Sequence, residues 1–427
     1  MWENNRLKTV LINILLVILI LGIVGALGYY MLQVRHETEK HDEQLSQLYV
    51  QQQQQQTEAR QESVTAIAEE YDRDMETVAK YLPGIVCWGD SLTLGSSGNI
   101  SYPSVLKTYL ETYFTDIYDF RSTIENADEF ARLKWDDYTV SVPVINMGAG
   151  PEDSYTVLGR CGAVPYVLGS DIVIPAERES VEITLTSAGG QNVAPLTGGS
   201  AGVNKVHIAG VEGELAILSA GNRSKTGYYF TRSEDGEEVE APAGTEIITA
   251  GTDLYRDYIH VVCIGTYGSF LNPEELVSQI QTLLARQTAN QGRYIVLGIC
   301  SIEGRKFYAK NMDELDAAMM QAFGNRFINV RKYLIEDGLT DAGIARTKQD
   351  NAAIRQSMVP ASFNSVRGGA ELNGKAYALI GKLVYDRMES LGYFDEVFQE
   401  LGIRETTKQI LKEDPGYFER IIKNSLG

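Results

Sequence analysis

The chain has 427 residues, 44% of them apolar and 22% charged, which leaves room for two or three domain-sized units and a sizeable core. A formal net charge of −19 argues against nucleic acid and anionic lipid surfaces as partners, because like charges repel. Four cysteines in so long a chain do not make a disulfide scaffold: Cys87, Cys263 and Cys300 sit in short apolar runs and read as free core thiols, and Cys161, in a loop, stays open.

Residues 9–34 carry no charged side chain, and Val10–Leu32 is almost continuously Leu, Ile, Val, Gly and Ala. A bilayer core takes about 20 apolar residues, and a cleavable signal has a shorter apolar centre, so a single membrane-spanning helix is expected. Arg6 and Lys8 precede it and Arg35 and Lys40 follow among acidic residues, a bias that favours a cytoplasmic N-terminus and an extracytoplasmic remainder. Residues 35–82 contain no Pro or Gly and read as a helical stalk. Val64, Ile67, Tyr71, Met75, Val78 and Leu82 form one helical stripe, either a short coiled-coil seam between two chains or a face packed on its own domain. Pro83-Gly84 ends the segment.

An alternation of apolar strands and helices follows over residues 83–393. Ile85–Trp88, Val140–Asn146, 258–265, 294–300 and Phe327–Val330 read as strands, and Tyr102–Phe114, Pro273–Gln287, Met312–Phe323 and Asn373–Leu391 as helices. That rhythm predicts an α/β domain with a parallel sheet covered by helices on both faces. Residues 165–255 break it with short alternating runs rich in Gly, Thr and Val, the pattern of an inserted all-β sandwich or barrel. Residues 394–427 read as a helical tail.

The first strand runs into Gly89-Asp90-Ser91-Leu92, placing a serine on the tight turn at the carboxyl edge of the sheet, where α/β folds bind ligands. This GDSL string, INMGAGPEDS at 145–154, IGTYGS at 264–269 and RGGAELNGKAYALIGKLVYDRM at 367–388 stand in the order of the conserved blocks of the SGNH (GDSL) hydrolases. Over residues 84–393 the chain resembles that family, in particular a Gram-positive-type branch with a β insertion. The resemblance implies a flavodoxin-like three-layer fold and an esterase site made of a serine, a glycine N–H, an asparagine, and an aspartate and histidine.

Carried over position by position, most of that site is missing. Ser91 keeps the nucleophile position. The second block puts Pro151, which has no N–H, at the glycine position, unless a one-residue slip lets Gly150 serve. The asparagine becomes Tyr267, the aspartate Gly368 and the histidine Glu371. Of the four histidines, His36 and His41 fall in the stalk, His207 in the β-rich stretch and His260 in an apolar strand. A serine without a base near neutral pKa is a poor nucleophile. Glu371 or His207 could stand in as base; otherwise Ser91 shapes the turn, its hydroxyl capping the next helix. Asp90, Gly150, Asp153 and Ser154 are expected to line what remains of the pocket. No metal-ligand spacing, phosphate loop or dinucleotide fingerprint is present, so no cofactor is expected. The expectation is a membrane-anchored, catalytically inactive member binding an envelope glycan or protein. The alternatives are a serine esterase or O-acyl transfer partner acting on envelope polysaccharide, and a scaffold that dimerises through the stalk.

Overall fold

The computed structural model describes residues 3–95, 100–112, 141–219, 226–288, 292–301, 309–365, 371–403, 409 and 413. Helix α1, Glu3–Tyr81, crosses the boundary between two compact units, which divide after Asp72. In the first unit the side chains of residues 9–34 are exposed along their whole length. Among the described residues this is the one helix long and apolar enough to cross a membrane.

In the second unit the last turns of α1 bury Val78 and Leu82, and Met75 is half-buried. The C-terminal half of the predicted stripe is therefore used within the chain, since an apolar face goes where area can be removed from water. The side chains of Val64 and Ile67 lie outside the described residues.

Beyond Pro83 the elements are β1 (Ile85–Gly89), α2 (Ser91–Leu94), α3 (102–112), β2 (Val144–Gly148) and α4 (Ser154–Arg160). Nine short strands follow: β3 (Tyr166–Leu168), β4 (Ile172–Ile174), β5 (Ser180–Ile183), β6 (Leu185–Ser187), β7 (Val206–Ile208), β8 (Val211–Ser219), β9 (Thr226–Arg232), β10 (Val239–Ala241) and β11 (Glu246–Ile248). The α/β rhythm resumes with β12 (Ile259–Cys263), α5 (Pro273–Leu284), β13 (Tyr294–Leu297), α6 (Ala309–Phe323) and β14 (Phe327–Ile328). It closes with α7 (Val330–Tyr333), α8 (Leu339–Asp341), α9 (Lys348–Arg355), α10 (Gly374–Ser390) and α11 (Asp395–Glu400).

Strands β1, β2, β12, β13 and β14 form one sheet in the order β14-β13-β12-β1-β2, every pair parallel. Every residue of β1 and β12 is buried, as a parallel sheet covered on both faces requires. Helices α4, α5 and α6 pack in succession. A second pair, α3 and α10, meets where Gly381 abuts Val105 and Tyr109 stacks on Tyr385 with ring centroids 5.8 Å apart. β2 starts at Val144, four residues later than the apolar run predicts; Pro143, which has no N–H to donate, stands just before it and accepts from the Ile85 N–H at 2.8 Å, and Val140 lies outside the described residues.

The strands between Tyr166 and Ile248 build a seven-stranded antiparallel sheet in the order β5-β9-β8-β7-β11-β3-β6. Its two outer strands are consecutive in the chain, separated only by Thr184, so the two ends of the sheet meet there and the sheet is rolled; β5 pairs with β9 and β6 with β3. The interior is filled by Tyr166, Leu185, Ile208, Leu215, Phe230 and Ile247 among others. Of the sandwich and the barrel that the sequence leaves open, the single rolled sheet is nearer the barrel, and β4 and β10 form a separate two-stranded sheet beside it in the chain.

Candidate functional site

The carboxyl ends of β1 and of its two neighbours, β2 and β12, meet at one place. Asp90 stands there fully buried. Its carboxylate accepts from the N–H of Leu92 at 3.0 Å, capping α2, and from the N–H of Thr266 beyond β12 at 3.2 Å. Burial pushes its pKa up to about 6, against the pull of those two donors. The cap of α2 is therefore Asp90 and not, as the sequence reading allowed, the Ser91 hydroxyl. A carboxylate one residue earlier reaches the free N–H groups with full charge.

Ser91 is 9% exposed, and its Oγ lies 2.8 Å from the phenol oxygen of Tyr267. Glu371 does not reach it: its carboxylate accepts from Ser365 Oγ at 3.3 Å. His207 faces Glu212 across β7 and β8, and His260 is buried on β12 with Nε2 3.2 Å from the Tyr255 carbonyl. Burial lowers the His260 pKa to about 4, so this ring is neutral and turned to its own loop. Gly368 lies outside the described residues.

The turn after β2 answers the register question in an unexpected way. The Gly150–Pro151 peptide is cis, and Pro151 is exposed. Gly150 lies against Ser91 so closely that a Cβ there would come within 2.5 Å of the serine Cβ. Yet its N–H is spent on the carbonyl of Gly198, at 3.2 Å, in the β6–β7 connection. In neither register does this turn offer a free donor to an oxyanion: Pro151 has no N–H, and the N–H of Gly150 is occupied.

Asp153 and Ser154 do not line an open pocket. Asp153 caps α4 by accepting from Thr156 N–H at 2.8 Å. Ser154 is fully buried and donates its hydroxyl to the carbonyls of Gly268 and Ser269, at 3.0 and 3.2 Å. Both fasten the turn after β2, Ser154 to the turn after β12, because buried carbonyls without donors are costly.

Glu152 and Arg160 escape the sequence reading altogether. Arg160 is fully buried; its Nε donates to Glu152 Oε2 at 2.6 Å and its Nη2 to the Gly89 carbonyl at 3.0 Å. Nη1 donates to the carbonyls of Met147 at 3.0 Å and Ala201 at 2.7 Å. One guanidinium thus ties the ends of β1 and β2 to the β6–β7 connection, using its fixed fork of donors. Glu152 Oε1 is buried with no hydrogen-bond partner, and burial raises the pKa of this carboxyl to about 7 although Arg160 pulls the other way. The only signal in the sequence is a basic residue in the otherwise apolar run VLGRC.

All four cysteines are free; Cys87, Cys161 and Cys263 are buried, and the Cys161 thiol donates to the Leu158 carbonyl at 3.3 Å. Among the described residues no cluster of His, Cys, Asp and Glu is placed to hold a metal ion. No protein-family model, curated protein or solved structure matches this chain. Among the described residues the site is a serine hydroxyl facing a phenol, with no base hydrogen-bonded to it and the Gly150 N–H already used.

Proposed function

We propose that this chain is a membrane-anchored, SGNH-hydrolase-like protein that does not hydrolyse esters and instead uses its extracytoplasmic domain to bind an envelope glycan or protein. Several features support the likeness. Counting only the parallel strands along the chain, their order is 2-1-3-4-5, one of the doubly wound orders, with Asp90 and Ser91 after the first strand and Thr266 and Tyr267 after the third. Those two positions flank the switch point at which such folds take ligands. The antiparallel sheet built from residues 166–248, between β2 and β12 in the chain, supports the reading of a β insertion.

One observation carries the absence of catalysis: the hydrogen-bond partner of Ser91 Oγ is Tyr267. A phenol ordinarily titrates near ~10 and does not take a proton from an alcohol at neutral pH. A missing oxyanion donor alone costs about 10²–10³ in rate. The test is made on the full-length protein in detergent. A fluorophosphonate probe, which reports an activated serine, is expected to leave Ser91 unlabelled, and hydrolysis of a chromogenic acetate ester is expected to match buffer. Turnover that Ser91→Ala abolishes would overturn the reading; its loss in Glu371→Gln as well would identify Glu371 as the base.

A further inference from the structure

We propose that the tip of the β6–β7 connection, residues 196–200, is a detachable cap that holds the Ser91 site closed by placing its own carbonyl on the Gly150 N–H. The inference concerns access to the site and holds whether or not Ser91 is catalytic.

The connection is fastened firmly on both sides of the tip. On one side the Ala194 N–H donates to Thr156 Oγ1 at 3.0 Å, and the Tyr228 hydroxyl donates to the Pro195 carbonyl at 3.0 Å. On the other, Arg160 holds the Ala201 carbonyl at 2.7 Å, and the N–H groups of Gly251 and Ala250 donate to Gly202 and Val203 at 2.8 and 3.1 Å. Between these anchors, among the described residues, a single hydrogen bond reaches the rest of the chain, the 3.2 Å contact from Gly150 N–H to Gly198. Thr197, Gly199 and Ser200 are exposed.

The contact needs two glycines face to face. A Cβ on Gly198 would fall 1.8 Å from the Gly150 carbonyl oxygen and 2.7 Å from its nitrogen. The tip also starts from Leu196 at φ +65°, left-handed backbone that a leucine adopts only at a cost. Beyond the half-buried Leu196, which packs on the core of the β sheet, a segment with one hydrogen bond, exposed Thr197 and Ser200 and a strained entry belongs to the low-stability end of a fold and opens locally. When it lifts, the Gly150 N–H beside Ser91 is left free for an oxygen acceptor of a ligand, such as a carbonyl or carboxylate. The Gly198 carbonyl is that acceptor's internal substitute.

Neighbouring amides supply the test. Ala149 N–H donates to Gly89 inside the parallel sheet at 3.2 Å, whereas Gly150 N–H, next in sequence, donates to the cap. Residue-resolved hydrogen exchange on the full-length protein in detergent is expected to show Gly150 exchanging at least about tenfold faster than Ala149, with a rate insensitive to low urea. Gly198→Ala, which drives the tip off Gly150, is expected to speed Gly150 a further tenfold or more and leave Ala149 unchanged. Equal rates for Gly150 in both chains would overturn the proposal. If Gly198→Ala speeds both amides together, the variant has loosened the whole sheet and the unmodified chain decides: Gly150 ahead of Ala149 supports the cap, and parity between them overturns it.

Discussion

Replacing Arg160 by methionine removes one charge and four hydrogen bonds from a place that water does not reach. The guanidinium is fully buried, and it holds Glu152 and the carbonyls of Gly89, Met147 and Ala201. Breaking a buried ion pair from one side typically costs about 3–5 kcal/mol, because the remaining charge is left unpaired. Methionine fills part of the volume against Trp88, whose ring lies 5.9 Å from the guanidinium carbon, so about 4 kcal/mol is expected here. The assay is urea unfolding of the full-length protein in detergent, followed by tryptophan fluorescence. The more specific expectation is the second step. With Arg160 gone, Glu152 loses the group that pulls its pKa down, and folding at pH 7.5 must neutralise a carboxyl that is ionised in the unfolded chain, so adding Glu152→Gln to Arg160→Met should recover about 1–3 kcal/mol. At pH 5 the lone carboxyl is already neutral, and the same addition should recover almost nothing. A loss below about 1 kcal/mol in Arg160→Met, or a double variant no better than the single one at pH 7.5, refutes the clasp as described.

The pH dependence of the parent chain follows from the same groups. Glu152 and Asp90 have folded pKa values raised to about 7 and about 6, so the folded state binds their protons more tightly and stability rises as pH falls from about 7 toward their unfolded values. His260, lowered to about 4, works the other way below its ordinary 6.5. The two carboxyls outweigh the ring, and the net gain between pH 7.5 and pH 5 is on the order of 2 kcal/mol, read as a higher urea midpoint at pH 5; a midpoint that falls instead contradicts the assignment. Gly159→Ala puts a Cβ 2.0 Å from the buried Tyr166 ring and should cost about 1–3 kcal/mol in the same assay. Tyr267→Phe takes the partner from Ser91 and should lower stability by only about 1 kcal/mol, with no ester hydrolysis gained or lost. Protease added to intact cells should remove everything beyond the apolar helix and leave a membrane stub; a domain cut only in inverted vesicles places it on the cytoplasmic side.

The parts of this chain that were legible in its sequence are those with a period. The apolar run of residues 9–34, the five buried strands of the parallel sheet and the helices between them repeat on scales that a sequence displays. The rolling of the antiparallel sheet did not, because it depends on one bend at Thr184 sending consecutive strands to opposite ends of a sheet. Glu152 and Arg160 were invisible for another reason. A basic residue in the last turn of α4 looks like an ordinary surface cation, and only the depth of the turn after β2 makes it a buried one. The same holds for Gly150 and Gly198, whose meeting needs two glycines 48 positions apart to touch. The absence of a histidine partner for Ser91 among the described residues, by contrast, is a matter of composition, since the chain has only four histidines and His207 and His260 bond elsewhere.

The rolled sheet also bears on the order in which the chain assembles. Strand β1 pairs with β12, which arrives far later in the sequence, and β2 and β12 are separated by about 110 residues. Within the rolled sheet Tyr166 and Ile247 are register partners, so a chain that has formed this sheet has already brought its two ends together. What remains to be looped is then under about 30 residues, which lowers the entropic cost of docking β12 by about 1.2 kcal/mol. Strand β12 then docks beside β1 as a nearby neighbour instead of a distant one, and the rolled sheet serves as a clamp on the path to the parallel sheet.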